Sequence, residues 1–317
     1  MTLTFDTGIA SLQAGEVYAL GCALLWAVAV ILFRRSGEVL PPVALNHFKG
    51  VVGLSLFLAT MPFFGIPLFP AGVPVADWLV LLGSGMLGIA IADSLFFASL
   101  NRLGAGRSAI VDCLYSPFVA LCSAFYLGEP RGPWLFPAIG LMVLAILVGT
   151  WRPEAAPPGR AVPGAAPPDP GLQARLRAGV GLGVLSMLLM AVGIVAAKPV
   201  LDRTDPMWAA AVRLAGGVLF LTVQGLLPRW RRDTIAAFTP GRHWRVAIPA
   251  AVLGAYLAMF LWILGMKYTA TNVAGVLNQS STLFVLILAT LFLGEPLTWR
   301  RVLAIAAGTI GALMAIW

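Results

Sequence analysis

Four ionisable side chains stand inside otherwise apolar stretches of this 317-residue sequence: Lys49, Asp93, Asp112 and Arg213. Placing such a group in hydrocarbon costs roughly 2.5–3.5 kcal/mol, so each needs an opposite charge, water or a task. Lys49 and Asp112 lie about seven residues past the start of their apolar runs and Asp93 about seven before the end of its run, which at 1.5 Å per residue sets all three roughly 10 Å deep. Successive membrane helices alternate direction, so the three depths refer to one face. One ammonium and two carboxylates then share a layer. They cannot all be charged cheaply, and such a layer has the chemistry to hold and release one proton. The plainer alternative is a permanent pair between Lys49 and one Asp, with Lys49 snorkelling.

Other polar groups cluster near the same depth. Ser108, Tyr115 and Ser116 fall at i−4, i+3 and i+4 from Asp112, a single helical stripe; Asn278, Ser281 and Thr282 form its counterpart, with Gln279 beside them. These stripes suit either the lining of a pathway or interhelical hydrogen bonding. Trp26, Tyr256, Phe260 and Trp262 lie mid-span, where an aromatic face could take a cation or a ring. Trp78, Trp134, Trp151, Trp244, Trp299 and Trp317 read instead as interfacial anchors. Gly83, Gly85, Gly88, Gly308 and Gly311 suit close helix contact. Glu129 and Glu295 sit at turns, where capping is the expected role. His47 and His243 lack partners at ligand spacing, Cys22, Cys113 and Cys122 show no CxxC, and no nucleophile–base pair is visible. No metal, cofactor or enzymatic activity is expected.

The elements that must position these groups follow from composition. The sequence is 60% apolar and 11% charged, with a mean hydropathy of +0.91, which excludes a soluble globular domain. The net charge of +8 comes from Lys and Arg set between apolar runs, so membrane topology and not nucleic acid accounts for it. Apolar spans are predicted near 16–33, 43–61, 78–100, 105–127, 134–151, 179–198, 207–227, 244–266, 271–293 and 300–317. The stretch before the first span carries no Lys or Arg, so that span is expected as a retained helix and not a cleaved signal. Residues 152–178, rich in Pro and Ala, read as a semi-rigid linker.

The linker separates two similar units, 1–151 and 179–317. A shift of 166 places Pro74 on Pro240, Trp78 on Trp244, Gly88 on Gly254 and Leu127-Gly128-Glu129-Pro130 on Leu293-Gly294-Glu295-Pro296; a shift of 164 places Lys49 on Arg213 and Gly53 on Gly217. The same arithmetic puts Asn278 on Asp112 and Met259 on Asp93, so the fold does not dictate the acids. Five helices per unit is an odd number, and the second unit must enter the membrane from the opposite side. Such inverted repeats build secondary transporters.

The paired Leu-Gly-Glu-Pro turns, together with Ala98 to Ala105, Ser116-Pro117-Phe118 and the run Gly265 to Glu295, resemble the two EamA domains of the drug/metabolite transporter superfamily. The resemblance implies an all-α integral membrane fold of about ten transmembrane helices as two inverted five-helix repeats, and export or exchange of small metabolites by alternating access. The expected function is a plasma (inner) membrane secondary transporter that exports a small polar or amphipathic metabolite, such as an amino acid or a drug-like cation, with protons as coupling ion. A lipid or lipid-linked-sugar flippase, with Arg213 as headgroup anchor, is the alternative; a membrane enzyme or interaction protein is a third. Expected partners are a small-molecule substrate, membrane lipid and protons, with room for a homo-oligomer. Lys and Arg number 15 on one side of the predicted helices against 4 on the other, which places both termini outside; the resemblance implies both cytoplasmic.

Overall fold

The computed structural model describes residues 14–129, 133–150 and 171–314; Pro130, Trp151, Trp317 and most of the expected linker lie outside them. Among the described residues every regular element is helical: α1 (Ala14–Ser36), α2 (Pro42–Thr60), α3 (Val75–Leu103), α4 (Ala105–Tyr126), α5 (Leu135–Thr150), α6 (Leu172–Leu201), α7 (Pro206–Leu226), α8 (Pro228–Phe238), α9 (Trp244–Tyr268), α10 (Thr271–Asn278 continued by Ser280–Leu293) and α11 (Trp299–Met314). Eight of these are long and apolar enough to cross a membrane. The other two expected spans, α5 and α11, are helices with 16 described residues each, and both run up to residues outside the described stretches. The eleventh helix, α8, was not expected. It begins at Pro228, exposes Arg229, Arg231 and Arg232, and buries Ala237 between α2 and α7.

Local chemistry sets several boundaries. Pro42 and Pro206 open α2 and α7, where the missing N–H costs nothing. Asp205 caps α7 by accepting from the amides of Met207 (2.9 Å) and Trp208 (3.0 Å). α6 begins at Leu172, inside the stretch read as linker, because Leu176 of Leu-Gln-Ala-Arg-Leu is buried against the core. The repeated Leu-Gly-Glu-Pro motif has a local reason. Gly128 (φ +70°) and Gly294 (φ +65°) take the left-handed conformation that ends a helix, and the following Glu amide turns back to a carbonyl six residues earlier.

The two units exchange their first helices. α1 packs on α9 and α10, and α6 packs on α3 and α4. Ala19, Ala23 and Ala27 recur every fourth residue on α1 and are fully buried; Gly179, Gly183 and Gly193 line the matching face of α6. Away from the centre, α5 and α11 pack on each other. A further tie crosses the units: Glu295 accepts from the amides of Ala105 (2.7 Å) and Gly106 (3.0 Å) and meets Arg301 at 3.1 Å. It therefore caps a helix N-terminus as expected, but the helix, α4, belongs to the other unit.

A close backbone approach joins α3 to α7. A Cβ at Gly85 would lie 1.6 Å from the Arg213 carbonyl oxygen, and one at Gly216 would lie 2.2 Å from that of Leu82, whereas Gly83 has nothing within 4 Å. Gly83 is therefore not a contact glycine, being two residues off the α7 face. Gly85→Ala should destabilise by about 1–3 kcal/mol through overpacking, while Gly83→Ala should match or exceed the native chain because Ala is the better helix former by up to about 1 kcal/mol. Thermal unfolding of the two purified variants checks this; equal effects would remove the crossing from the account.

Candidate functional site

Two kinds of irregularity shape the centre. α3 and α9 each carry a π-helical segment, Met86–Ile91 and Val252–Ala258, at equivalent positions of the two units. A π turn frees carbonyls, and in α3 Asn46 satisfies them: its Nδ2 donates to the carbonyls of Ile89 (2.8 Å) and Ala90 (3.0 Å). α4 and α10 are broken at equivalent places too. The first half of α4 ends at Asp112 and the second resumes at Tyr115; α10 ends its first half at Asn278 and resumes at Ser280. Pro117 cannot donate to the turn before it, and the break in α4 spans two residues; with Leu283 in its place, the break in α10 spans one. The two breaks meet, Cys113 Sγ lying 4.0 Å from Thr282 Oγ1.

Between the units these irregular helices, with α1, α2, α6 and α7, line a cavity of about 130 Å³. Of the residues singled out in the sequence, Lys49, Asp93, Asp112, Tyr115, Arg213, Trp262, Asn278, Gln279 and Ser281 line it, together with Trp26. Ser116 and Tyr256 do not. Ser116 is buried elsewhere, and Tyr256, turned by the π segment, meets Phe57 edge-on at 4.9 Å. Residues not anticipated in the lining are Cys22, Phe96, Met187, Met190 and Gly88. An apolar Met in an apolar helix carries no signal of its own. Asn46 and Ser84, which hold the site in place, had one: each is a polar side chain a helical turn away from a lining residue.

The charges are distributed unequally. Lys49 pairs with Asp93, and its ammonium lies between the rings of Phe97 (5.1 Å) and Phe33 (5.8 Å); both partners are buried. Asp112 faces the cavity with no ion pair or hydrogen bond among the described residues. Arg213 Nε donates to Ser84 Oγ (3.0 Å), whose hydroxyl donates to the Gly193 carbonyl (2.6 Å). His47 Nε2 lies 3.0 Å from Thr222 Oγ1, away from the lining. Cys22, Cys113 and Cys122 are free thiols. Among the described residues no three His, Cys, Asp or Glu side chains gather as a metal ion requires.

Swapped first helices, paired breaks and a shared polar cavity define a multi-pass membrane protein of two inverted repeats built for transport. The profile of the EamA-like transporter family matches residues 13–151 and 177–317, and the chain belongs to that family. Two relatives are similar over part of its length. An uncharacterized protein of Pseudomonas aeruginosa is 32% identical over 136 residues, 43% of this chain and 44% of that one. The probable 4-amino-4-deoxy-L-arabinose-phosphoundecaprenol flippase subunit ArnF of Photorhabdus laumondii is 30% identical over 114 residues, 32% of this chain and 87% of ArnF. The match thus spans less than half of the Pseudomonas protein. A solved crystal structure shares the fold with a TM-score of 0.66 over 95% of this chain and 96% of the other, at 19% identity.

The buried Lys49–Asp93 pair makes a test of the charge layer. Lys49→Met strands the Asp93 carboxylate and should cost about 3–5 kcal/mol. Adding Asp93→Asn removes the stranded charge, so the double variant should be more stable than the single one, with a coupling of about 0.5–3 kcal/mol. Thermal unfolding in detergent reads both; strictly additive losses would dissolve the pair.

Proposed function

We propose that this protein is a secondary transporter that moves a small polar organic solute by alternating access, with Asp112 as the site where a proton is loaded and released. The observation that carries the reading is the unpaired carboxyl of Asp112, set at a helix break and facing a cavity shared by both units. Lys49 already holds Asp93, which leaves Asp112 as the acid free to exchange a proton or meet a substrate. The broken halves of α4 and α10 end beside the cavity, so small movements at the breaks reach the site directly. Asn278 keeps the shape and hydrogen bonding of an Asp without titrating, which makes one unit the proton carrier and the other its neutral counterpart. We read the protein as an exporter in the plasma membrane, with units 1–151 and 179–317 rocking about the cavity.

A second reading comes from ArnF, a probable flippase subunit. A flippase would use Arg213 for a phosphate headgroup and require an opening to the lipid.

Orientation belongs to the same proposal. The 15 Lys and Arg on the α8 side against 4 on the other place both termini outside. A reporter active only in the cytoplasm, fused after Trp317, should be silent; activity there would invert the assignment.

Asp112→Asn tests the coupling. The variant copies Asn278, so folding and substrate exchange between the two faces of a vesicle should persist. Uptake driven by an imposed proton gradient should fall to background. Unchanged gradient-driven uptake would take the proton away from this residue, and loss of the folded protein would assign Asp112 to structure.

A further inference from the structure

Two cations and two acids line the cavity, and one ion pair forms among them. Lys49 is matched by Asp93, whereas Arg213, only 4% exposed, has Ser84 Oγ as its hydrogen-bond partner among the described residues. Its Nη1 is buried with no partner. A guanidinium stays charged in any environment and presents five donors in a fixed fork, so an unfilled edge in an apolar setting is costly until an acceptor arrives. The surroundings keep that edge in place. Ser84 spends its own hydrogen on the Gly193 carbonyl and so turns a lone pair to Arg213. Gly88 has no side chain to cover the guanidinium, and even a Cβ there would stand only 3.7 Å from Nη2. The same side chain lines the cavity together with the largely apolar side chains of Trp26, Phe96, Met190 and Trp262.

We propose that Arg213 is the docking point for an oxyanion of the transported molecule, a carboxylate or a phosphate, and that the substrate is an organic anion or zwitterion with a short apolar body. Carboxylates and phosphates match the guanidinium fork with two parallel hydrogen bonds. The two sources of such a group, a free solute and a lipid headgroup, share this chemistry. The inference rests on the cavity being the transport site proposed above.

Thermal unfolding of the purified protein against matched probes tests it, because a ligand that binds the native state raises its unfolding temperature. Hexanoate and hexyl phosphate should stabilise the protein, and hexanol and hexylamine should not. Arg213→Gln should lower the apparent affinity for the two anions by about 10- to 100-fold, the worth of a charged hydrogen-bonded pair, and Arg213→Lys by less. If Arg213→Gln does not fold, the native panel and the Lys variant decide. Dihexanoyl phosphatidate binding better than hexyl phosphate assigns the oxyanion to a lipid headgroup; the reverse assigns it to a free solute. Equal stabilisation by hexylamine or hexanol, no stabilisation by any anion, or a shift that survives Arg213→Gln overturns the inference. Its failure is separable from that of transport. Asp112-dependent transport of a cation would keep the transport reading without this site, and Arg213-dependent anion binding without transport would do the opposite.

Discussion

A charge in an apolar slab must find an opposite charge, a polar partner or water, and at the centre of this molecule each buried charge meets that demand differently. Lys49 meets it with Asp93 and two aromatic rings. Arg213 meets half of it with Ser84. Asp112 meets it by facing open space. The helices around them are bent to suit: a π segment in α3 brings Gly88 and Asp93 to the cavity, and Asn46 repairs the carbonyls that the segment releases. Removing the charges would leave a bundle with little reason to be hollow.

The duplicated architecture supplies the scaffold and the charges break its symmetry. Exchanged first helices, paired helix breaks and the mutual packing of α5 and α11 occur in both units. They differ between the units in detail, the break being one residue longer in α4 than in α10. Lys49 against Arg213, Asp93 against Met259 and Asp112 against Asn278 distinguish the units chemically. A symmetric frame can rock between two equivalent poses. Side chains that differ across the pseudo-twofold axis make the two halves of the cavity chemically distinct.

Much of this was legible in the sequence because hydropathy and repetition are strong signals over long windows. The apolar runs found the membrane helices, and the 166-residue shift aligned Asp112 with Asn278 before any coordinates. Lys49, Asp93, Asp112 and Arg213 stood out for the physical reason that charges are rare in such runs. What escaped was whatever a long window averages away. α8 has only 11 residues and three exposed arginines, so it looked like a loop. Met187 and Met190 line the cavity without any compositional mark. Tyr256 was singled out for its mid-span position alone, which does not say which way a side chain in a π segment faces; it packs on Phe57. The partner of Glu295 was also out of reach, as nothing in a turn says which helix will dock on it.

The paired π segments carry a record of descent. A π turn is a helix with one residue too many, rarer than the regular form and frequent at functional sites. In this chain the extra residue occurs at Met86–Ile91 and again at Val252–Ala258, just before the positions where Asp93 aligns with Met259. Two separate insertions landing on the same turn would be a coincidence. A single insertion, made in an ancestral five-helix unit before its gene was copied and joined to itself, accounts for both. By that ordering the backbone irregularity is older than the duplication, and the charges that now tell the two units apart were sorted afterwards.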